Sequence, residues 1–161
     1  MSAIQIAFLA GLVTVLVAVA AFSAAVVRSA VRGGRAAALG LFGGHTEHSQ
    51  LGRGAFLAHR LTGFAIFSFL CLHILDVGLF SVSRRLYDEV QPLYGSAPLR
   101  VFECGLLFAV LFHTGNGLRL LAVDVVRLSA VWTRRLLQLV IVLSAASGVA
   151  GSALILSPLF R

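Results

Sequence analysis

Residues 56–80 read FLAHRLTGFAIFSFLCLHILDVGLF. A helix of that length rises roughly 37 Å, enough to cross a hydrocarbon core of about 30 Å. The run is apolar apart from His59, Arg60, His73 and Asp76 and a few hydroxyls. Ionisable groups inside a bilayer cost several kcal/mol unless paired or wet, so each is a functional hypothesis by default. The stretch therefore reads as a membrane span that carries chemistry.

Working outward, three more stretches meet the length of a span: residues 3–27, 99–123 and 136–160. The first and last hold no formal charge, whereas the third holds Glu103, His113 and Arg119. The whole chain agrees, with 161 residues, 59% hydrophobic and 12% charged. Soluble domains carry about 25% charged residues. That shortfall excludes a soluble enzyme, a disordered tail and a disulfide scaffold. All 13 basic residues are arginine, for a net charge of +7. They lie between apolar runs rather than on one solvated face, so no nucleic-acid partner is expected. Cys71 and Cys104 fall inside apolar runs with no CxxC pair. They read as small buried residues, and neither a zinc nor an iron–sulfur site can be built from this chain alone. The expected fold class is an all-α membrane protein with four transmembrane helices.

A secretory signal has a basic start and an apolar centre of about 7–15 residues. Residues 3–27 are longer, with no basic residue before Arg28, so a retained span is expected. Arg28, Arg32, Arg35 and Arg53 follow the first span, and Arg127, Arg134 and Arg135 follow the third. Only Arg84 and Arg85 lie between the second and third. The positive-inside bias places both Arg-rich connections in the cytoplasm and both termini outside. The glycine-rich connection 28–55 reads as a loop, with a short surface helix near 35–42. It also holds His45 and His48, a metal-pair spacing without further ligands. Pro92 and Pro98 mark a turn and a helix start.

Function is expected on the two loaded spans. On the third, Gly105, Ala109, His113 and Gly117 recur every four residues and form a small-residue face around one histidine. That face suits close helix packing with a hydrogen-bonded core histidine, or a flat cofactor ligated by it. On the second, His59 and His73 lie about 21 Å apart along the helix and cannot share a site. Asp76, three residues after His73, can orient that ring for a ligand, or the two can simply satisfy each other. His73 and His113 differ in depth by roughly a third of the hydrocarbon thickness, which argues against their clamping one iron. Ser144, Gly148 and Ser152 on the fourth span read as a helix-packing face.

His59-Arg60-Leu61-Thr62-Gly63 resembles the H-R-x-[ST]-G motif of the cytochrome b membrane-anchor subunit of succinate dehydrogenase. The run from His113 to Asp124, HTGNGLRLLAVD, resembles the same family's H-x-x-x-G-x-R motif with its trailing aspartate. The likeness covers about residues 55–157, and His73-Ile-Leu-Asp76 is similar to actinobacterial-type members. The resemblance implies a three-helix cytochrome b anchor core over 55–161. Residues 1–54 then add an extra N-terminal transmembrane helix and a cytoplasmic Gly/Arg-rich loop.

The resemblance further implies an anchor subunit of a succinate:quinone oxidoreductase in the plasma membrane. It would bind haem b, one or two shared with a partner subunit, and a quinone, expected to be menaquinone. Its partners would be a second hydrophobic anchor subunit, an iron–sulfur subunit, a flavoprotein subunit with FAD, and membrane lipid. A trimer of the complex is compatible with it. His113 stands where the family has a haem axial ligand, and His73 would ligate a second haem. His59, Arg60 and Arg119 fall in the haem-propionate or quinone region, with Phe56, Thr62 and Asp124 as quinone-site neighbours. Two departures are visible: Phe56 stands where many members have serine, and Leu120 where many have histidine. The alternatives are a haem-free structural anchor of such a complex and a small four-span transporter using Asp76 or Glu103. No inverted repeat supports the transporter.

Overall fold

Residues 2–32 and 50–160 are described by the computed structural model. Their helices are α1 (Ala3–Arg32), α2 (Gln50–Val82), a short α3 (Arg84–Val90), α4 (Ala97–Val126) and α5 (Ala130–Leu156). A 3-10 turn, Gln91–Gly95, joins α3 to α4, and another, Ser157–Phe160, ends the chain. Four segments are long and apolar enough to cross a membrane: Ala3–Arg28, Gly54–Val82, Ala97–Val126 and Ala130–Phe160. The expected all-α, four-span architecture is thus the observed one. His45 and His48, with the spacing of a metal pair but no further ligands, and the surface helix near 35–42 lie outside the described residues.

The helices run further than the apolar stretches. Residues 28–32 and 50–55, read as loop, continue α1 and open α2, and α5 begins at Ala130 rather than near 136. A helix keeps its backbone hydrogen bonds into the polar flank, where hydropathy has already fallen. Pro98 sits in the first turn of α4 after the extended N-cap Ser96, where its missing N–H costs nothing. Arg127 closes α4 in a left-handed conformation (φ 53°), its N–H donating to the Val123 carbonyl. That uncommon geometry for a side chain with a β-carbon lets residues 127–129 turn the chain into α5.

Exposure is inverted relative to a soluble bundle. Phe67 (63%), Leu75 (69%) and Leu154 (75%) face outward, while Asn116, Arg119, Thr133 and Asp76 are buried. Contiguous outward apolar surface on this scale calls for lipid or a partner chain. The most extensive helix pairing is α4 with α5. Thr133, Leu137, Ser144 and Gly148 face inward on α5. A β-carbon at Gly148 would collide with the Phe108 ring, and one at Gly151 would lie 2.5 Å from Leu107 Cδ2. The small residues of the last span therefore serve close approach to α4.

Helix α1 is fastened at its start. Ser2 and Gln5 cap each other reciprocally, Ser2 N–H donating to Gln5 Oε1 (2.9 Å) and Gln5 N–H to Ser2 Oγ (3.3 Å). Gln5 Nε2–H also donates to the Glu89 carbonyl at 2.8 Å, and Phe8 meets Tyr94 edge-on. Further along, Phe22 stacks on Phe64 of α2 at 4.3 Å.

Candidate functional site

The two motif histidines come from different helices and meet. The rings of His59 on α2 and His113 on α4 lie parallel within 3°, centroids 4.0 Å apart. His113 Nδ1 is 3.0 Å from the His59 carbonyl oxygen and 3.3 Å from Thr62 Oγ1. A carbonyl only accepts, so Nδ1 carries the hydrogen, and in the neutral ring it is Nε2 that holds the free lone pair. Thr62 in turn donates back to the Ala58 carbonyl at 2.7 Å. Two glycines make this approach possible. A β-carbon at Gly63 would lie 2.7 Å from His113 Cε1, and one at Gly117 would lie 3.6 Å from His59 Cε1. His59 Nδ1 is buried with no hydrogen-bond partner among the described residues.

Beside the pair, a groove of about 400 Å3 runs between α2, α4 and α5, walled by Ala58, Thr62, Gly105, Phe108, Ala109 and Ser144, among others. Its size falls within the usual range of small-molecule and cofactor sites, about 300–1,000 Å3. Gly105 and Ala109 also border a smaller hollow of about 180 Å3 against Val15, Leu16 and Val19 of α1. The small-residue stripe of the third span thus opens space on two sides. Among the described residues no three His, Cys, Asp or Glu side chains converge on a bare ion. Neither histidine is among the residues that wall the groove, which His113 adjoins through Thr62; its imidazole is the group that could ligate a haem lying against that apolar wall.

The remaining sequence candidates are more dispersed. Arg60 is exposed, its guanidinium 5.7 Å over the half-exposed Phe56 ring. Arg119 is buried on the α4–α5 seam, donating from Nε to the Thr133 carbonyl and from Nη1 to Asn116 Oδ1, both at 3.2 Å. Six residues along a helix turn Arg119 about 120° away from His113. Asp124 is exposed on the last turns of α4. His73 is exposed and stacked beside Phe69 at 5.7 Å.

Asp76 does not bind His73. It is buried and accepts a 2.7 Å hydrogen bond from the Tyr94 hydroxyl on the 3-10 turn Gln91–Gly95. The pair expected from their spacing fails because Asp76 turns inward while His73 faces out. Burial and that hydrogen bond push the Tyr94 phenol well above its ordinary value. Tyr94, Gly63 and Asn116 were not singled out beforehand. Gly63 was legible as the final residue of the first motif, and Asn116 as the i−3 neighbour of Arg119. Nothing in the sequence pairs Tyr94 with Asp76.

Fold and site together define a class: a multi-pass helical membrane protein with two facing histidines between its second and third spans. The sequence profile of the family described as succinate dehydrogenase/fumarate reductase transmembrane subunit matches residues 44–150, and the chain belongs to that family. It is 38% identical over 73 residues to the succinate dehydrogenase 2 membrane subunit SdhC of Mycobacterium tuberculosis, covering 45% of this chain and 54% of the relative. It is 36% identical over 84 residues to the succinate dehydrogenase hydrophobic membrane anchor subunit of Halobacterium salinarum, covering 52% and 64%. The chain thus spans between half and two thirds of the length of these relatives. Helix α1 lies outside the matched residues.

Proposed function

We propose that this chain is a membrane-anchor subunit of a succinate:quinone oxidoreductase, ligating haem b through His113. The observation that carries the haem reading is the Nδ1–H of His113 tied to a backbone carbonyl, which leaves Nε2 as the ligand atom. When bound, the haem supplies a one-electron carrier between the iron–sulfur subunit and quinone. A second ligand to such a haem would come from a partner chain, since His73 lies elsewhere on α2 and His59 is stacked on the His113 ring itself. His59 and Arg60 form the mouth of a quinone site near the Arg-rich end, where water can supply the protons that quinol formation consumes. Arg119, Phe56, Thr62 and Asp124 are assigned to the same region by their places in or beside the two motifs.

His73, a polar ring on an otherwise apolar outward face, is assigned to a second haem shared with that partner. Residues 55–161 form the anchor core and α1 is an addition to it. The Arg-rich connections face the cytoplasm, where the flavoprotein and iron–sulfur subunits dock, and menaquinone is the assigned acceptor. The stacked histidine rings also suit a haem-free anchor in which they serve only packing, and haem content separates these readings.

Affinity purification of the tagged chain from its native membrane tests the assembly. Co-elution of flavin- and iron–sulfur-bearing subunits with succinate-dependent quinone reduction is expected. Elution of this chain with neither would contradict the reading.

A further inference from the structure

We infer that Thr62 and Gly63 are positioning residues for the His113 ligand, Gly63 by leaving room for its ring on the α2 backbone and Thr62 by holding its Nδ1–H. The inference rests on the haem-ligand reading of His113. Without a β-carbon at residue 63, the imidazole lies directly against the helix, and Nδ1 reaches the His59 carbonyl at 3.0 Å. A methyl group there would sit 2.7 Å from Cε1. The atom it meets belongs to a rigid ring rather than to the end of a flexible chain. The whole ring must then retreat by several tenths of an ångström, and the 3.0 Å bond opens with it.

The Thr62 hydroxyl completes the cradle. Its hydrogen has two carbonyls to donate to, Ala58 at 2.7 Å and His59 at 3.0 Å, so its lone pair faces Nδ1 at 3.3 Å. Both neighbours of Nδ1 accept, and the tautomer with Nε2 free follows from them. The Thr-Gly step therefore has its use across the helix interface, on the ligand of the neighbouring span. Outer groups of this kind orient the ring and raise ligand basicity.

The test uses the purified complex, with haem-to-protein ratio and the low-spin ferric electron paramagnetic resonance signal as readouts. His113→Ala defines which signal belongs to this ligand. Gly63→Ala is expected to abolish or shift that signal, and Thr62→Val to weaken haem retention about 10–100-fold. Thr62→Ser, which keeps the hydroxyl, should restore both. Gly151→Ala, a comparable close contact in the α4–α5 seam, should leave the signal unchanged. Should Gly63→Ala fail to assemble, the Val and Ser pair at position 62 decides the matter. Wild-type ratio and signal in both Gly63→Ala and Thr62→Val, with the signal absent in His113→Ala, would overturn the inference alone. Full haem retention in His113→Ala would overturn the ligand reading beneath it.

Discussion

Replacing Tyr94 by phenylalanine isolates the one buried carboxylate of the second span. Asp76 Oδ1 already has no partner, and Oδ2 is held by the Tyr94 hydroxyl at 2.7 Å. The substitution keeps the ring against Phe8 and removes only that donor. A hydrogen bond to a charged group contributes about 1.5–3 kcal/mol, and a buried acceptor left unsatisfied costs a similar amount. A loss of about 2–3 kcal/mol is therefore expected, which for a chain of this size corresponds to roughly 4–12 °C in Tm. Fluorescence-detected gel filtration of the tagged chain after heating in mild detergent measures it.

The double variant Asp76→Leu with Tyr94→Phe removes both polar partners at similar volume and should melt within about 1 kcal/mol of the wild type. In the haem-free chain His73→Ala should leave the melt unchanged, because His73 makes no bond to Asp76. The phenol's folded pKa is raised above its ordinary 10.0. Its contribution is therefore whole at pH below 10.0 and is lost only as pH rises through the higher folded value. The difference between the wild type and Tyr94→Phe should accordingly not vary between neutral pH and pH 10.0. Equal melting of Tyr94→Phe and the wild type would refute the reasoning, as would a double variant less stable than the single one.

Other expected outcomes follow from the histidines and the topology. His113→Ala should remove a haem, read from the haem-to-protein ratio. His59→Ala should mainly slow succinate-dependent quinone reduction, and equal haem loss in the two variants would argue against separate roles. His73→Ala should lower the haem-to-protein ratio, and an unchanged ratio would dispose of the second haem. For orientation, cysteines placed at Asp88 and Ser129, both exposed, can be challenged with a membrane-impermeant maleimide on intact cells. Labelling at 88 and protection at 129 is expected, and the reverse pattern would invert the topology.

The spans were legible because their driving force is local: about 20 consecutive apolar residues state a membrane crossing without knowledge of any neighbour. Their ends were not, because helical hydrogen bonding continues where hydropathy stops, as residues 28–32 and 130–135 show. His59 and His113 were legible as candidates through their motifs. Their stacking depends on how α2 and α4 cross, which no spacing within one helix encodes. The same holds for Asp76. Spacing offered it His73, whereas the fold delivered Tyr94, 18 residues away in sequence, by folding the 3-10 turn before α4 onto α2. Arg119 shows the opposite limit. Its motif placed it with His113, while helical rotation sent it to Thr133 and Asn116 on the α4–α5 seam. The short helix Arg84–Val90 was not legible because seven residues carry too little pattern to read.

The central claim is that an imidazole held by the α2 backbone presents Nε2 to a haem iron. A reduced-minus-oxidised absorption spectrum of the complex purified through this chain tests it most directly. The account predicts a b-type haem band that is diminished when His113 is replaced by alanine. A spectrum with no b-type band would contradict it and leave the stacked histidines as packing.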